Sequence, residues 1–460
     1  MSDTPIHLAY EGGTLVLTGG TVALLDSLPG VKFDGRTGVH RAEGHAYRTL
    51  VEYLRAQQIV YKDEARTYDL TPWPLRTSRD PFPHQREALQ AWWKGGGGRG
   101  VVVLPTGTGK TFVAILAIQH IGRPTLVVTP TIDLMSQWYA ELRVAFDVPV
   151  GLLGGGYHDI QPLTVTTYDS AHIHLDRWGN RFGLLVFDEA HHLPGPTYMA
   201  AALGAIAPYR LGLTATPERT DGQEVMLDSL IGPIVYRRQI TELTGEFLAN
   251  YHTERIYVEL SPDEAATYQQ ARDHYRQFCS DRGFSMGGAN GWNRFIQETS
   301  RSREGRAAFQ AYREQRKLAL AAPAKLELLE RLLHRYRKDR MLIFTNDNAT
   351  VYEIARRYFV PAITHQTKTK ERKHILDGFQ TGEYSVIVTS RVLNEGVDVP
   401  AANVGIVLSG TSTVTEHVQR LGRLLRKHGD KQATLIEVVT RGTVEEYITE
   451  RRRQHDAYKE

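Results

Sequence analysis

The residues Leu104-Pro-Thr-Gly-Thr-Gly-Lys-Thr111 follow one apolar run, Val101 to Leu104, and lead into a second, Phe112 to Ile118. Glycines let backbone N–H groups reach phosphate oxygens, and the N-terminus of the following helix favours an anion. The expected ligand is a nucleoside triphosphate, cradled by Leu104, Pro105, Thr106, Gly107, Thr108, Gly109, Lys110 and Thr111. Lys110 would hold the outer phosphates and Thr111 would hold Mg²⁺. Leu104 stands where the simplest form of this pattern has a glycine.

A second motif narrows the chemistry. Leu184-Leu-Val-Phe187 reads as a fully buried parallel strand, and Asp188-Glu-Ala-His-His192 sits at its carboxyl end, where open α/β sheets place ligands. Phosphoryl transfer needs positioning and charge neutralisation more than covalent chemistry. Asp188 would therefore be the second Mg²⁺ ligand, and Glu189 would orient and deprotonate an attacking water. The plainer reading is an acidic helix cap after a strand. The distance downstream of a phosphate loop favours the catalytic one.

A third group lies near the C-terminus, in Gln419-Arg-Leu-Gly-Arg-Leu-Leu-Arg426. On a helix, Gln419, Arg423 and Arg426 fall at i, i+4 and i+7, so one face offers an amide and two guanidiniums. A guanidinium aimed at a γ-phosphate is worth roughly 10³ to 10⁵ in rate in other nucleotide hydrolases. The alternative is a solvated basic helix. Supplied from a second lobe, these residues would make a cleft close on ATP and reopen after hydrolysis.

Two lobes are what the rest of the chain predicts. Val101 to Leu104, Thr125 to Thr129, Leu163 to Thr167, Leu184 to Phe187 and Arg210 to Thr214 alternate with helical segments, which argues a parallel sheet covered on both faces. A second such series is Met341 to Phe344, Val386 to Val388, Val404 to Leu408 and Ala433 to Ile436. Between the two, Asp263 to about Ala322 lacks strand signals and reads as helical, with seven Arg/Lys against three acids from Arg294 to Lys317. That charge run suits either a solvated face or a DNA contact. Ahead of the first lobe, residues 1 to about 70 read as a small α+β unit. There Tyr47, Leu50, Val51 and Leu54 recur at helical spacing and mark one apolar face. Pro72, Pro74, Pro81 and Pro83 suit a linker, and Gly95 to Gly98 a flexible loop.

Composition adds exclusions. Lys+Arg 55 against Asp+Glu 52 is a balance too mild to prove a nucleic-acid partner, so any basic footprint is local. A single cysteine, Cys279, rules out an internal disulfide framework, a four-cysteine zinc site and a cysteine-held iron–sulfur cluster. No apolar run reaches membrane-spanning length and no signal peptide is evident. The expectation is a cytoplasmic, nucleoid-associated protein with no membrane partner.

In this order the motifs resemble those of superfamily-two helicases and translocases, and within them the XPB-type DNA helicases. The resemblance runs through Leu104 to Thr111, Thr129-Pro-Thr131, Thr166 to Ser170, Asp188 to His191, Leu213-Thr-Ala-Thr-Pro217, Ile343-Phe-Thr345, Thr389 to Pro400 and Gln419 to Arg426. Phe33-Asp-Gly-Arg-Thr-Gly38, Ser229 to Pro233, Ser261 to Glu264 and Pro361 to His365 carry the narrower assignment. XPD-type relatives are disfavoured, because their iron–sulfur cluster needs cysteines that this chain lacks.

The resemblance implies an α/β protein with two RecA-like parallel-sheet lobes. A domain similar to the damage-recognition domain would occupy 1–72, an ATP-binding lobe 80–243 and a second lobe 244–460, with a thumb-like helical insertion at about 263–322. It also implies that Gln85 reads adenine, that His191, Thr214, Thr216 and Asp398 couple hydrolysis to the DNA path, and that Thr129, Thr167 and Thr389 contact DNA. One departure is Arg219-Thr220-Asp221, where the family carries Arg-Glu-Asp. It puts duplex opening in doubt and is expected to leave ATP hydrolysis untouched. The function implied is an ATP-dependent 3′ to 5′ DNA translocase or helicase acting on duplex or forked DNA in repair. The alternatives are a nucleotide-gated scaffold that recruits a partner nuclease, the motor subunit of a restriction system, and an RNA helicase using the same lobes.

Overall fold

The computed structural model describes residues 5–219, 221–245, 247–286, 291–390, 402–409 and 432–453. The chain divides between Glu242 and Leu243 into two compact units.

The first unit begins with an antiparallel sheet of β1 (Ile6–Glu11), β2 (Thr14–Thr18), β3 (Lys32–Asp34) and β4 (Val39–Glu43), to which β5 (Tyr61–Asp63) adds in parallel beside β1. The strand order is β3-β4-β2-β1-β5. The helix Tyr47–Ala56 packs on this sheet because Tyr47, Leu50, Val51 and Leu54 all lie on its buried face, as their spacing predicts. Ile206, from the next domain, completes the same core. Here Gly44 is required by close approach: a Cβ on it would lie 2.8 Å from the Gly204 carbonyl oxygen. The Tyr10 hydroxyl reaches the carbonyls of both Leu175 and Gly204 at 2.7 Å, tying the small domain to the larger one.

After an irregular segment, Pro83 starts the helix Pro83–Gln90 rather than ending a linker. Proline suits a first helical turn, where its missing N–H has no partner to lose. A parallel sheet comes next, built from β6 (Arg99–Val103), β7 (Thr125–Thr129), β8 (Gly151–Gly154), β9 (Tyr157–Asp159), β10 (Leu163–Thr167), β11 (Leu184–Asp188), β12 (Tyr209–Thr214) and β13 (Ile234–Arg237). Its order is β13-β6-β12-β11-β7-β10-β8-β9, and β9 alone runs antiparallel to its neighbour. β7, β10 and β11 are buried at every position, which explains their unbroken apolar and threonine runs. Arg210 is buried in this core without a carboxylate. Its guanidinium instead donates to the carbonyls of Ala205, Ala207 and Leu230.

The second unit holds a six-stranded parallel sheet of β14 (Asn250–Val258), β15 (Met341–Phe344), β16 (Ala362–Ile363), β17 (Val386–Thr389), β18 (Val404–Val407) and β19 (Gln432–Thr440), in the order β14-β19-β18-β15-β17-β16. The helical segment expected from about 263 to 322 is three helices, Pro262–Asp281, Gly291–Arg301 and Arg303–Leu320. They pack around Phe278, Cys279, Phe295 and Ala308, a small core of their own. An ion pair between Lys325 and Glu445 lies buried beside the sheet. The Lys325 ammonium also donates to the carbonyls of Leu408 and Val438. Among the described residues, no helix is long and apolar enough to cross a membrane.

Candidate active site

The phosphate loop leaves β6 and enters the helix Lys110–Ile121. Gly109 caps that helix at φ 82°, and a Cβ there would lie 2.4 Å from Nε2 of Gln85, so glycine is needed on both counts. The loop is drawn in by its own carbonyls. The Gln85 amide donates to Thr108 at 3.0 Å and Gly109 at 3.2 Å, and His84 Nε2 donates to Thr108 at 3.0 Å. Lys110 Nζ donates to the Leu104 carbonyl at 3.2 Å, and Thr108 Oγ1 to the Pro105 carbonyl at 2.8 Å.

Gln85, the residue expected to read adenine, is turned towards the phosphate loop. It is fully buried, both its amide hydrogens are directed at the loop, and its oxygen accepts from the Phe82 N–H. The exposed groups at the mouth of the loop are Phe82 and Arg79. The Arg79 guanidinium lies 4.8 Å from the Phe112 ring centroid and 5.6 Å from that of Phe82.

Two strands away, β11 delivers Asp188 and Glu189. Asp188 is held by three contacts: Trp138 Nε1–H donates to Oδ2 at 2.7 Å, the Glu189 N–H to Oδ1 at 3.1 Å, and the Tyr168 hydroxyl to the backbone carbonyl at 3.0 Å. Burial, and after it the Glu189 charge, push its carboxyl up to about 6, against the indole hydrogen bond and the Lys110 charge. Glu189 adopts φ 46°, ψ 54°, a left-handed conformation that costs a residue with a Cβ of order 1–3 kcal/mol. Its Oε2 is buried and accepts no hydrogen bond.

His191 Nδ1 stands 3.0 Å from Thr214 Oγ1 and 3.5 Å from Glu189 Oε2. The Thr214 hydroxyl gives its proton to the Thr216 carbonyl, so His191 Nδ1 must be the donor in the first of these contacts. The Leu104 N–H donates to the Thr214 carbonyl at 3.0 Å. Hydrogen bonds thus run from His191 through Thr214 to the start of the phosphate loop, with the Glu189 carboxylate 3.5 Å from the His191 ring.

Three regions match known families. Residues 8–65 match the xeroderma pigmentosum group B helicase damage recognition domain, residues 78–219 the type III restriction enzyme res subunit, and residues 324–428 the helicase conserved C-terminal domain. The chain is 39% identical over 427 residues to the DNA 3′-5′ translocase XPB2 of Sulfurisphaera tokodaii, covering 93% of this chain and 96% of that one. The chain belongs to the XPB family. Another XPB relative, the DNA 3′-5′ helicase XPB of Kineococcus radiotolerans, is 31% identical over 408 residues, and the match spans 64% of its length. The Pyrococcus furiosus Hef helicase domain has the same fold, with a TM-score of 0.56 at 20% identity over 80% of this chain and 97% of that one.

Five of the eight motifs fall in the first unit, at the carboxyl ends of β6, β7, β10, β11 and β12. Lys110, Asp188, Glu189, His191 and Thr214 are linked there as described, and Thr111 lies in the first turn of the helix that opens with Lys110. The three threonines expected to contact DNA end their strands but keep their hydroxyls inside. Thr129 donates to the carbonyls of Thr131 and Thr166, Thr167 caps the helix Tyr168–Trp178 and donates to Ser170 Oγ, and Thr389 donates to the Ser390 carbonyl. In this conformation the hydroxyls close the strand ends. Asp398, Gln419, Arg423 and Arg426 lie outside the described residues, as does Thr220.

Two contributors escaped sequence reasoning. Trp138 sits on an amphipathic helix, where a tryptophan reads as core. Tyr168 falls inside a recognised motif, but nothing in its spacing indicates that its hydroxyl supports Asp188. A groove of about 1160 Å³ in the second unit, lined among others by Trp292, Tyr312, Lys317 and Glu353, contains none of the residues expected to bind nucleotide.

Proposed function

We propose that this XPB-family enzyme is an ATP-driven 3′ to 5′ translocase on duplex or forked DNA, acting in DNA repair. The observation that carries the reading is Glu189 Oε2, which accepts no hydrogen bond although it is buried 3.5 Å from the His191 ring, on the same sheet edge as Lys110 and Asp188. A buried carboxylate oxygen without a donor is costly and marks a place where a proton-bearing group is to bind. Here that group is the attacking water. The Thr106 and Thr216 hydroxyls are buried without partners on the same loops and suit a polar ligand equally.

ATP would take over the donors that now hold the loop to itself. Lys110 exchanges the Leu104 carbonyl for phosphate oxygens, and the backbone N–H groups of 107–111 would serve the same anion. Thr111 and Asp188 are the residues that would hold Mg²⁺, which neutralises phosphate charge when bound. Glu189 holds the water and accepts its proton. Adenine recognition by Gln85 requires its amide to release Thr108 and Gly109, and Phe82 and Arg79 offer the exposed surface against which a base can lie. Gln419, Arg423 and Arg426 are the candidates for the amide and guanidiniums that stabilise the γ-phosphate.

Translocation ranks above strand separation, because Thr220 replaces the family's acidic residue. Displacement of a third strand from a triplex by the ATP-fuelled enzyme tests this reading, with Lys110→Ala as the control. Displacement by wild type and none by Lys110→Ala is the expected pair of results. A partner nuclease stimulated fully by Glu189→Gln would favour the scaffold alternative.

A further inference from the structure

The residues of the ATP site, with Thr129 and Thr167, lie at the carboxyl ends of the first unit's parallel strands. The amino ends of the same strands carry a different surface. Arg123 stands two residues before β7, Gly183 immediately before β11, and Tyr209 opens β12. These strands are five or six residues long, which sets the two edges roughly 16–20 Å apart at about 3.3 Å per residue.

Arg66, Tyr68, Asp69, Leu70 and Arg123 line a pocket of about 470 Å³ on this amino edge. Tyr68 is 6% exposed, and its buried hydroxyl completes no hydrogen bond. Burial pushes the phenol up to about 12, against the nearby Arg123 and Arg66 charges, so the hydroxyl keeps its proton and can donate it. Gly183 lets Arg123 and Tyr68 meet, because a Cβ there would lie 2.8 Å from Arg123 Cδ and 3.0 Å from the Tyr68 ring. The half-buried Arg123 guanidinium has no carboxylate partner among the described residues and rests 5.1 Å from the Tyr209 ring centroid. A cation and a donor left unsatisfied beside a cavity are costly unless an anion completes them.

An aromatic surface adjoins this pocket. The π-helical turn Ala91–Gly95 sends Trp92 inward, where its indole donates to the Arg210 carbonyl at 2.9 Å, and leaves Trp93 36% exposed. Trp93 packs 5.9 Å from Tyr209 and edge-on to His120 at 4.5 Å. Arg48 joins the same group: its guanidinium lies 5.7 Å from the Tyr209 centroid and donates to the Gly97 carbonyl at 2.7 Å. Guanidiniums beside an exposed aromatic ring suit one nucleotide of a single strand, with the cations on the phosphate and the ring against the base. An acidic peptide or a free anion would use the arginines and leave the indole idle.

We propose that the amino edge of the first sheet is a single-strand contact: the pocket of Arg66, Tyr68 and Arg123 takes a phosphate from the single-stranded arm of a fork, and Trp93 with Tyr209 receives a neighbouring base. The inference rests on the motor reading for its DNA and adds a contact outside the ATP site. Its consequence is a preference for forked over blunt duplex DNA.

The test is binding of the full chain, without nucleotide, to blunt duplex and to a fork with one single-stranded arm, followed by fluorescence anisotropy at several salt concentrations. Photo-crosslinking of an arm that carries iodinated uracil, mapped by mass spectrometry, locates the contact, and thermal unfolding certifies each variant. The wild type should crosslink at Trp93 or Tyr209. Arg123→Gln and the more exposed Arg66→Ala should each weaken fork binding about three- to tenfold and lower its salt slope by about 1, with blunt-duplex affinity held within about twofold. Trp93→Leu should weaken fork binding about fivefold or more with the salt slope unchanged. Folded variants that bind the fork as the wild type does, an equal loss on blunt duplex, or no crosslink on this edge overturns the proposal. Thymidine monophosphate bound here by a protein that does not crosslink the arm would make it a free-nucleotide site and overturn the proposal too. A wild-type protein that binds neither DNA contradicts the motor reading instead, so the two failures are distinguishable.

Discussion

Replacing Trp138 by Phe removes one hydrogen bond and little else from the catalytic edge. The indole is 2% exposed, and its N–H donates to Asp188 Oδ2 at 2.7 Å. The Asp188 carboxyl already stands at about 6 through burial and the neighbouring Glu189 charge, and the indole is the first of the influences that hold it down. A hydrogen bond to a charged group is worth about 1.5–3 kcal/mol, or roughly one to two pKa units at 1.36 kcal/mol each. The variant carboxyl would then be raised further by about that much. The sign is that of a raised acid: the ionised form, which the reaction needs, disappears as pH falls through the pKa. At pH 7 a group titrating near 6 is about nine-tenths ionised, and a further rise of roughly one to two pKa units leaves between about one half and one tenth ionised. Turnover at low, fixed Mg²⁺ should therefore drop about two- to tenfold at pH 7. At pH 9 most of the difference should vanish. ATP turnover measured from pH 5.5 to 9 on wild type and Trp138→Phe, with thermal unfolding as the control for packing, reads this directly. Superimposable profiles, or a deficit that is the same at pH 7 and pH 9, would refute the reasoning.

Other residues make separate predictions. Lys325→Met strands the Glu445 carboxylate at 2% side-chain exposure and should destabilise the second unit by about 3–5 kcal/mol, while Lys325→Met with Glu445→Leu should recover most of that loss in a denaturant titration. Burial, with the Arg210 and Arg99 charges after it, holds His45 down at about 4 against an ordinary 6.5, and Glu43, 3.2 Å away with its side chain 60% exposed, does not offset them. Because the unfolded imidazole takes up its proton first, stability should fall as pH drops from 6.5 towards 4, and His45→Gln should flatten that part of the unfolding profile. Tyr10→Phe removes the hydroxyl shared by the Leu175 and Gly204 carbonyls and should cost about 1 kcal/mol, measurable as an earlier unfolding transition of the first unit.

The parts of the fold that were legible in the sequence share one physical cause. A strand buried on both faces needs apolar residues at every position, so the runs now seen as β7, β11 and β15 announce themselves without an alternating pattern. β14 stayed hidden because Asn250 to Arg255 mixes polar and charged residues along a sheet edge, and the β8–β9 hairpin because Gly154, Gly155 and Gly156 read as loop. Buried Arg210 and Lys325 could not have been anticipated, since long cationic side chains ordinarily belong at the surface, and the carbonyls that help satisfy Lys325 come from distant segments. The nucleotide loop was legible through its glycines, whose backbone angles and close approaches leave little choice of residue. Hydrogen-bond direction was not. Gln85, Thr129 and Thr389 sit in recognisable motifs, yet their polar atoms face inward, which depends on which carbonyls the fold brings within 3.3 Å.

The central claim is that Lys110, Asp188 and Glu189 form a hydrolytic site whose work is coupled to DNA. ATP turnover of the wild type and of Glu189→Gln, each with and without duplex DNA and with nucleotide binding followed in parallel, tests it most directly. The account predicts DNA-stimulated turnover in the wild type, and in Glu189→Gln a loss of turnover with nucleotide binding retained. Unchanged turnover in a folded Glu189→Gln protein, or wild-type turnover indifferent to DNA, would contradict it.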